Sequence, residues 1–412
     1  MLASLDPLGL PLVCDVEPGN RAQRAPDDPL YVPSYQRAKK ILDQEGVLVV
    51  GDSKMSALTT LATMVAGKDH YLTPLAEQPA ETAQLDKLLA AWQGREEQAT
   101  RIYLPEDVPS DGRMPDPEKA IAHGFERERE RSTLHDGKQV TWTERLLVVR
   151  SYSYVQTMQD GLHRRLDKAE EALRNLTPPR ARGKRQIEDE ATLFASIERI
   201  EKQYRVQALF DLNYEREVEE HHVRAYRDRP ARVEHKVRYQ LTAARNAEAI
   251  AAAEFRAGWR LYVTNAPKET LSLSDAVLAY RDQIVAENIF RRLHGKFLGL
   301  TPLYVQRDDH AKGLVHLLTL GARILALGDY LAKEALAQEK SELSGIYAGN
   351  LKRTTATPTM ERLLRAFENI NLLIFPVQPE PLSYLTELSP VQKRILTLLG
   401  LPESLYTDLQ SA

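Results

Sequence analysis

A short apolar segment, Val47-Leu-Val-Val50, ends abruptly at Gly51 and Asp52. An unbroken aliphatic run of this length predicts a strand that is buried on both faces, as in parallel sheets. In open α/β sheets, ligands gather at the carboxyl ends of such strands. The segment therefore predicts an α/β fold and makes Asp52 a candidate functional carboxylate.

The segment from Tyr280 to His294 has the spacing of one amphipathic helix. Tyr280, Glu287 and His294 are seven positions apart. They share a face, with Gln283 beside them, because a straight helix drifts only about 20° per heptad. This face is a candidate functional surface with one carboxylate, Glu287. The alternative is that these polar residues form the water-facing side of an ordinary helix.

The order of three segments resembles that of the DDE transposases of bacterial insertion sequences. The segments are the strand that ends at Asp52, a predicted strand over Gly258 to Asn265, and the helix with Glu287. One branch of the family carries a Tyr, Arg, Glu, Lys signature with spacings of two, three and six residues. The matching positions here are Tyr280, Gln283, Glu287 and His294. Tyr and Glu agree with the signature, whereas Gln replaces Arg and His replaces Lys, and the resemblance covers roughly residues 1–330.

The resemblance implies an RNase H-like mixed sheet in which three carboxylates hold two Mg²⁺ ions. Two such ions activate the attacking oxygen and stabilise the leaving oxygen when DNA is cut at the element ends and its 3′-hydroxyls join target DNA. Mg²⁺ suits this role because it accepts carboxylates and substrate phosphates together. The implied catalytic and metal-binding acids are Asp52 and Glu287. The implied DNA contacts on the helix are Tyr280, Gln283, Arg291 and His294.

The first acid of the family has no counterpart at its expected place. Residues 1–14 are predicted to form two short strands around a turn at Asp6, which match the second and third strands of the family. We therefore expect an amino-terminally truncated transposase that lacks the first strand and its acid. Asp6 and Asp15 are candidate substitutes, but acids at turns and strand ends are usually structural. Two alternatives are an inactive DNA-binding remnant and a metal-dependent nuclease of the same fold.

Four regions are expected along the chain. Asp52 and Glu287 are too far apart for one crossover connection, so an insertion domain must interrupt the core. The insertion is predicted to be β-rich, with a turn at His135-Asp-Gly137, and then helical, with charged helices over Met158 to Leu176 and 188–204. The expected regions are the first part of the core (1–84), the insertion domain (85–255), the second part of the core (256–330) and a helical carboxyl-terminal region (331–412).

Basic clusters in the insertion are candidate contacts for DNA phosphates. One is the predicted turn at Arg180 to Arg185. The stronger candidate is interleaved with Tyr226 and Tyr239. Its DNA-binding residues are Arg224, Arg227, Arg232, Lys236 and Arg238. The alternative is a solvated charged face. Because the formal net charge of the chain is −3, local charge must carry any contact with nucleic acid.

Composition limits the remaining possibilities. The single cysteine, Cys14, excludes internal disulfides and cysteine-rich zinc modules. No apolar run is expected to reach the roughly 18 residues that span a bilayer, and the amino terminus lacks a signal sequence. We therefore expect a cytoplasmic protein without a membrane partner. Residues 20–33 are predicted to be a loop, and Gly313 to Leu327 a helix packed on the sheet. The expected partner is DNA, with a possible homodimer through residues 331–412.

Overall fold

The computed structural model describes residues 2–16, 28–76, 78–179, 186–223, 232–302, 304–376 and 382–410. In chain order, the strands are β1 Leu2–Leu5, β2 Pro11–Asp15, β3 Leu48–Val50, β4 His70–Pro74, β5 Thr100–Ile102, β6 Ala122–His135, β7 Lys138–Ser151, β8 Phe210–Val223, β9 Arg232–Arg245, β10 Trp259–Thr264, β11 Leu372–Phe375 and β12 Leu382–Leu385. The α-helices are α1 Asp28–Leu42, α2 Leu58–Ala66, α3 Pro79–Trp92, α4 Tyr152–Arg174, α5 Glu190–Tyr204, α6 Ala247–Arg256, α7 Leu273–Arg281, α8 Gln283–His294, α9 Asp308–Gln338, α10 Met360–Arg365, α11 Pro390–Leu398 and α12 Ser404–Thr407.

The largest sheet has six strands in the order β3-β4-β10-β7-β6-β5. It is mixed, because β3 runs parallel to β4 whereas β10 runs antiparallel to β7. The mixed α/β class expected from the sequence is confirmed. Strands β5, β6 and β7, which were expected in an insertion domain, belong to this sheet. The pairs β1-β2, β8-β9 and β11-β12 form separate two-stranded sheets.

The strand that precedes Asp52 differs from its prediction in burial. β3 is parallel to β4, as expected, with Val49 opposite Tyr71. It lies at the end of the strand order, so β4 is its one neighbour in the described sheet. Val50 is consequently 37% exposed. The expectation that this strand is buried on both faces is wrong, because an aliphatic run does not reveal whether a strand is central or at an edge.

The backbone forms two units. The first contains residues 1–73, 131–142 and 278–412, and the second contains 74–130 and 143–277. In the first unit, Ile289 and Leu293 of α8 form a hydrophobic core with residues of α9 and of the β1-β2 hairpin. The hairpin turn needs Gly9, which has φ +82°, because a Cβ there would lie 2.7 Å from Cγ1 of Val285.

The second unit has two cores of its own. In one, Trp92 of α3 stacks on Phe125 of β6 with ring centroids 4.0 Å apart. In the other, α4 and α5 pack against the β8-β9 ribbon through buried residues such as Leu166, Leu193 and Tyr239. The two charged helices expected here are confirmed. The region after them was expected to be helical and is instead a ribbon of two 14-residue strands.

Two helix boundaries also correct the sequence analysis. Residues 28–33 were expected in a loop but form the start of α1. Pro29 lies in the first turn, where a helix needs no N–H donor. The predicted single helix over residues 280–294 is wrong, because α7 ends at Arg281 and α8 begins at Gln283. Asp282 between them has ψ −3°, and its carbonyl accepts a short-range bond from the amide of Val285 at 2.8 Å.

The helix expected over Gly313 to Leu327 is part of α9, which is 31 residues long. By length and composition alone it could cross a membrane, with 33% of its apolar window buried, so the expectation that no segment reaches this length is wrong. A core helix of a soluble protein meets the same criteria. In α9, Val315, Ala322 and Ala326 join the core with α8 and the hairpin, whereas the sequence predicted packing on the sheet. The region after residue 330 also contains the β11-β12 hairpin, which was not expected.

Candidate functional site

Asp52 lies just past the carboxyl end of β3, as the sequence predicts. It caps a short 3₁₀ turn, Ser53–Ser56, by accepting a bond from the amide of Lys54 at 3.0 Å. The same oxygen, Oδ1, accepts a bond from the Tyr31 hydroxyl at 2.6 Å. The backbone carbonyl of Asp52 accepts from Oγ1 of Thr73 at 2.6 Å. One oxygen of this carboxylate therefore has the ordinary structural role of a helix cap.

Asp69 aligns the strand that leads to Asp52. Its carboxylate is buried and accepts bonds from the Tyr35 hydroxyl at 2.5 Å, from Nζ of Lys39 at 2.6 Å and from the amide of Val47 at 3.0 Å. Burial by itself would raise the pKa of Asp69, but these hydrogen bonds and the Lys39 charge together lower it. These bonds connect Tyr35 and Lys39 of α1 with Val47, the residue before β3, and β3 leads to Asp52.

Glu287 lies on the exposed face of α8. The opposite face is buried, with Ile289 and Leu293 at 2% and 1% exposure. Glu287 is exposed, and among the described residues it makes no hydrogen bond or ion pair. The same face carries the predicted DNA contacts Gln283, Arg291 and His294, all exposed. This arrangement matches the alternative of a water-facing helix side.

Tyr280 does not share this helix. It lies on α7, one residue before that helix ends, and is half-buried. The break at Asp282 separates it from Gln283, the first residue of α8. His294 lies at the other end of α8, where its Nδ1 is 3.5 Å from Oγ1 of Thr301. The common face predicted for the four signature positions is thus divided between two helices.

Asp52 and Glu287 are the metal ligands that the resemblance implies for Mg²⁺. Among the described residues, no group of three or more Asp, Glu, His or Cys side chains is placed to hold a metal ion. Asp52 and Glu287 belong to the same unit but are not part of such a group. The Mg²⁺ site that the resemblance implies stays a prediction.

The predicted basic cluster falls mainly on the β8-β9 ribbon. Arg224 and Arg227 lie outside the described residues, as does the basic turn at 180–185, and Arg232 is described only as the first backbone position of β9. The other two members face acids across the ribbon. Lys236 is opposite Glu219, and Arg238 is opposite Glu217, with 3.6 Å between Nη1 and Oε2. The register therefore places an acid opposite each of these two cations, which offsets their charge.

The first unit contains a cleft of about 680 Å³ that the sequence did not predict. It is lined by parts of β2, α1 and α9, which are remote in sequence. Several of its lining residues are basic, whereas neither Asp52 nor Glu287 lines it. No charge run in the sequence predicts this site, because its lysines and arginines come in pairs from α1 and α9, and the β2 segment supplies none.

No protein-family model matches the sequence, and no curated protein matches it either. The function must therefore be argued from the arrangement of the chain's own residues. Two arrangements are relevant to the function. One is Asp52 after β3 together with Glu287 on α8, and the other is the basic cleft in the same unit.

Proposed function

We propose that the chain is a DDE-type DNA transposase with an RNase H-like core, which cuts element ends and joins their 3′-hydroxyls to target DNA in the cytoplasm. One observation carries the proposal. A single unit contains, in chain order, an antiparallel hairpin, a helix, a parallel strand pair with Asp52 past the end of its first strand, and a later helix with Glu287. The resemblance implies this order, with one further strand over Gly258 to Asn265, which belongs to the second unit.

Asp52 and Glu287 are the two acids assigned to the reaction in this proposal. Mg²⁺ is the expected cofactor because its ligands are carboxylate and phosphate oxygens. Since the described residues contain no group of three ligands, we assign no individual step to a bound ion. The requirement for Mg²⁺ and for both acids is therefore the quantity to be measured.

The test compares three isosteric substitutions in a plasmid-nicking and strand-transfer assay with and without Mg²⁺. Asp52→Asn and Glu287→Gln remove the two proposed ligand charges, and asparagine keeps the capping role of position 52. Glu342→Gln is the matched control, because Glu342 is exposed and unpaired among the described residues. We expect Mg²⁺-dependent nicking by the parent and the control, and its loss in both site variants. Parental activity in either site variant would remove that acid from the mechanism.

A second candidate function is DNA binding without catalysis. The absence of a three-ligand group among the described residues and the exposed, unpaired state of Glu287 favour it. A gel-shift experiment distinguishes the two functions. Binding of DNA without any Mg²⁺-dependent nicking by the parent protein would establish the binding function and refute the transposase.

A further inference from the structure

The cleft in the first unit is built from three separate segments. One wall is the end of β2 and the residues after it, at positions 12–16. A second is the last part of α1, with Arg37 and Lys40, and the third is the first half of α9. The volume of about 680 Å³ lies within the usual range of ligand sites, roughly 300 to 1,000 Å³.

The cleft concentrates positive charge on a chain that is acidic overall. Asp15 is the one carboxylate among its described lining residues. The cationic residues that line it are Arg37, Lys40, Lys312 and Arg323, and His316 lies beside Lys312. The chain as a whole has a formal net charge of −3. The excess of cations is therefore a property of this site, and not of the surface in general.

Two of the cations have structural partners. Arg37 forms an ion pair with Asp15. Arg323 donates from Nη2 to the carbonyl of Leu12 at 3.0 Å and from Nε to the carbonyl of Pro11. These bonds tie α9 and α1 to the hairpin. These bonds do not neutralise the positive charge of Arg323, because both acceptors are neutral carbonyls.

The other two cations, Lys40 and Lys312, and the neighbouring His316 are exposed. Among the described residues, Lys40, Lys312 and His316 make no hydrogen bond or ion pair. Each lysine carries three donors and no acceptor. Leu320 and Ile41, at 50% and 58% exposure, add apolar surface to the same cleft. Charged donors beside an apolar surface suit a ligand with anionic groups attached to a less polar body.

We propose that this cleft binds the phosphate backbone of DNA. Phosphates recur about every 3.4 Å along the duplex axis on each strand, and the cations of α1 and α9 line one cleft. The choice of DNA as the polyanion rests on the proposed function. The site itself is distinct from Asp52 and Glu287, neither of which lines the cleft.

Charge reversal tests the site by binding alone. Lys40→Glu/Lys312→Glu is compared with Lys87→Glu/Lys333→Glu, which makes the same change in net charge at exposed, unpaired lysines outside the cleft. Fluorescence anisotropy with a short mixed-sequence duplex in EDTA gives the affinity at several salt concentrations. Losing two phosphate contacts should weaken binding by at least about tenfold near 0.1 M salt and reduce the slope of log K against log salt by about 2. Equal affinities in the two double variants would overturn the proposal.

Cys14 provides a second measurement. It lines the cleft and is the one cysteine in the sequence, so its rate of alkylation by a small thiol reagent reports on occupancy. The duplex should slow alkylation, whereas inorganic phosphate at the same phosphate concentration should not. An unchanged rate with the duplex, or equal slowing by phosphate alone, would refute a DNA site.

The outcomes separate this proposal from the transposase. Because binding is measured in EDTA, it does not depend on Mg²⁺ or on cleavage. Weakened binding in the cleft variant, without nicking by the parent, would retain the DNA site and refute the enzyme. Nicking by the parent, with unaltered binding in the cleft variant, would retain the enzyme and refute the site.

Discussion

Replacing Asp69 with alanine should destabilise the first unit, because three donors converge on this carboxylate. The side chain is fully buried, and its partners are Tyr35, Lys39 and the amide of Val47. Alanine leaves the Lys39 charge without its carboxylate and the other two donors without an acceptor. Lys39 retains a bond to the carbonyl of Gly67 at 2.7 Å.

The size of the effect follows from these contacts. Removing one partner of a buried ion pair costs about 3–5 kcal/mol of unfolding free energy. The Lys39 side chain is 25% exposed, so water screens part of the unpaired charge and the lower end of that range applies. We therefore expect a loss of about 3 kcal/mol for Asp69→Ala. Asp69→Asn keeps an acceptor and should lose less, about 1.5–3 kcal/mol, which is the value of a hydrogen bond to a charged group.

Chemical denaturation followed by circular dichroism measures both losses. Glu45→Ala is the control, because Glu45 pairs with Lys68 beside the same strands, but the two side chains are 62% and 72% exposed. An exposed pair contributes about 0–1 kcal/mol, so the control should unfold almost as the parent does. Equal losses in Asp69→Ala and Glu45→Ala would show that the buried Asp69 carboxylate stabilises the first unit no more than an exposed ion pair does.

The same variant has a predictable pH dependence. The pKa of Asp69 is lowered in the folded protein, whereas an aspartate in the unfolded chain has a pKa of about 3.9. The ionised carboxylate therefore contributes stability above about pH 4, and this contribution is lost as the pH falls through the lowered folded pKa. The difference between parent and Asp69→Ala should be constant from about pH 5 to 8 and shrink below about pH 4. A difference that grows on acidification would contradict the assignment.

Three further substitutions test packing in the first unit, each by chemical denaturation. Gly67→Ala should cost about 1–3 kcal/mol through overpacking, because its Cβ would lie 2.3 Å from the Tyr35 hydroxyl; parental stability would contradict this contact. Leu293→Ala should cost about 2–5 kcal/mol, since Leu293 is 1% exposed in the core of α8, and a loss below that range would show that α8 packs loosely. Tyr71→Phe should cost about 1–3 kcal/mol, because it removes the acceptor of the buried Trp142 indole N–H, 2.8 Å away, and an unchanged midpoint would refute that bond.

Elements with local signals could be predicted from the sequence. The amino-terminal hairpin is confirmed around Asp6, whose Oδ1 accepts from the amides of Leu8 and Leu10 at 3.0 and 2.7 Å. The turn after His135 is confirmed as well, with Gly137 at φ +75°. In both cases a few adjacent residues determine the backbone, so no long-range packing is needed to recognise the element.

Elements that depend on contacts with distant segments were predicted less accurately. The β8-β9 ribbon carries an alternating apolar pattern, which includes Phe210, Leu212, Tyr239 and Leu241. The many charges between them are also typical of a solvated helix. The strand pattern becomes clear only when α4 and α5 supply the apolar surface that these residues cover. The position of β3 at an edge has the same origin, because sheet order is decided by segments far along the chain.

The candidate nucleic-acid sites show why charge has to be judged in three dimensions. On β9 the basic residues are close together in sequence, but the antiparallel register places Glu217 opposite Arg238 and Glu219 opposite Lys236. In the cleft the cations are scattered in sequence, and folding brings Lys40 of α1 and Lys312 of α9 to one site with a single carboxylate among its described lining residues. Phosphate affinity follows the local excess of cations over anions, not their proximity in sequence. Reversing the charge of Lys236 should therefore change DNA affinity less than the same reversal at Lys40 or Lys312.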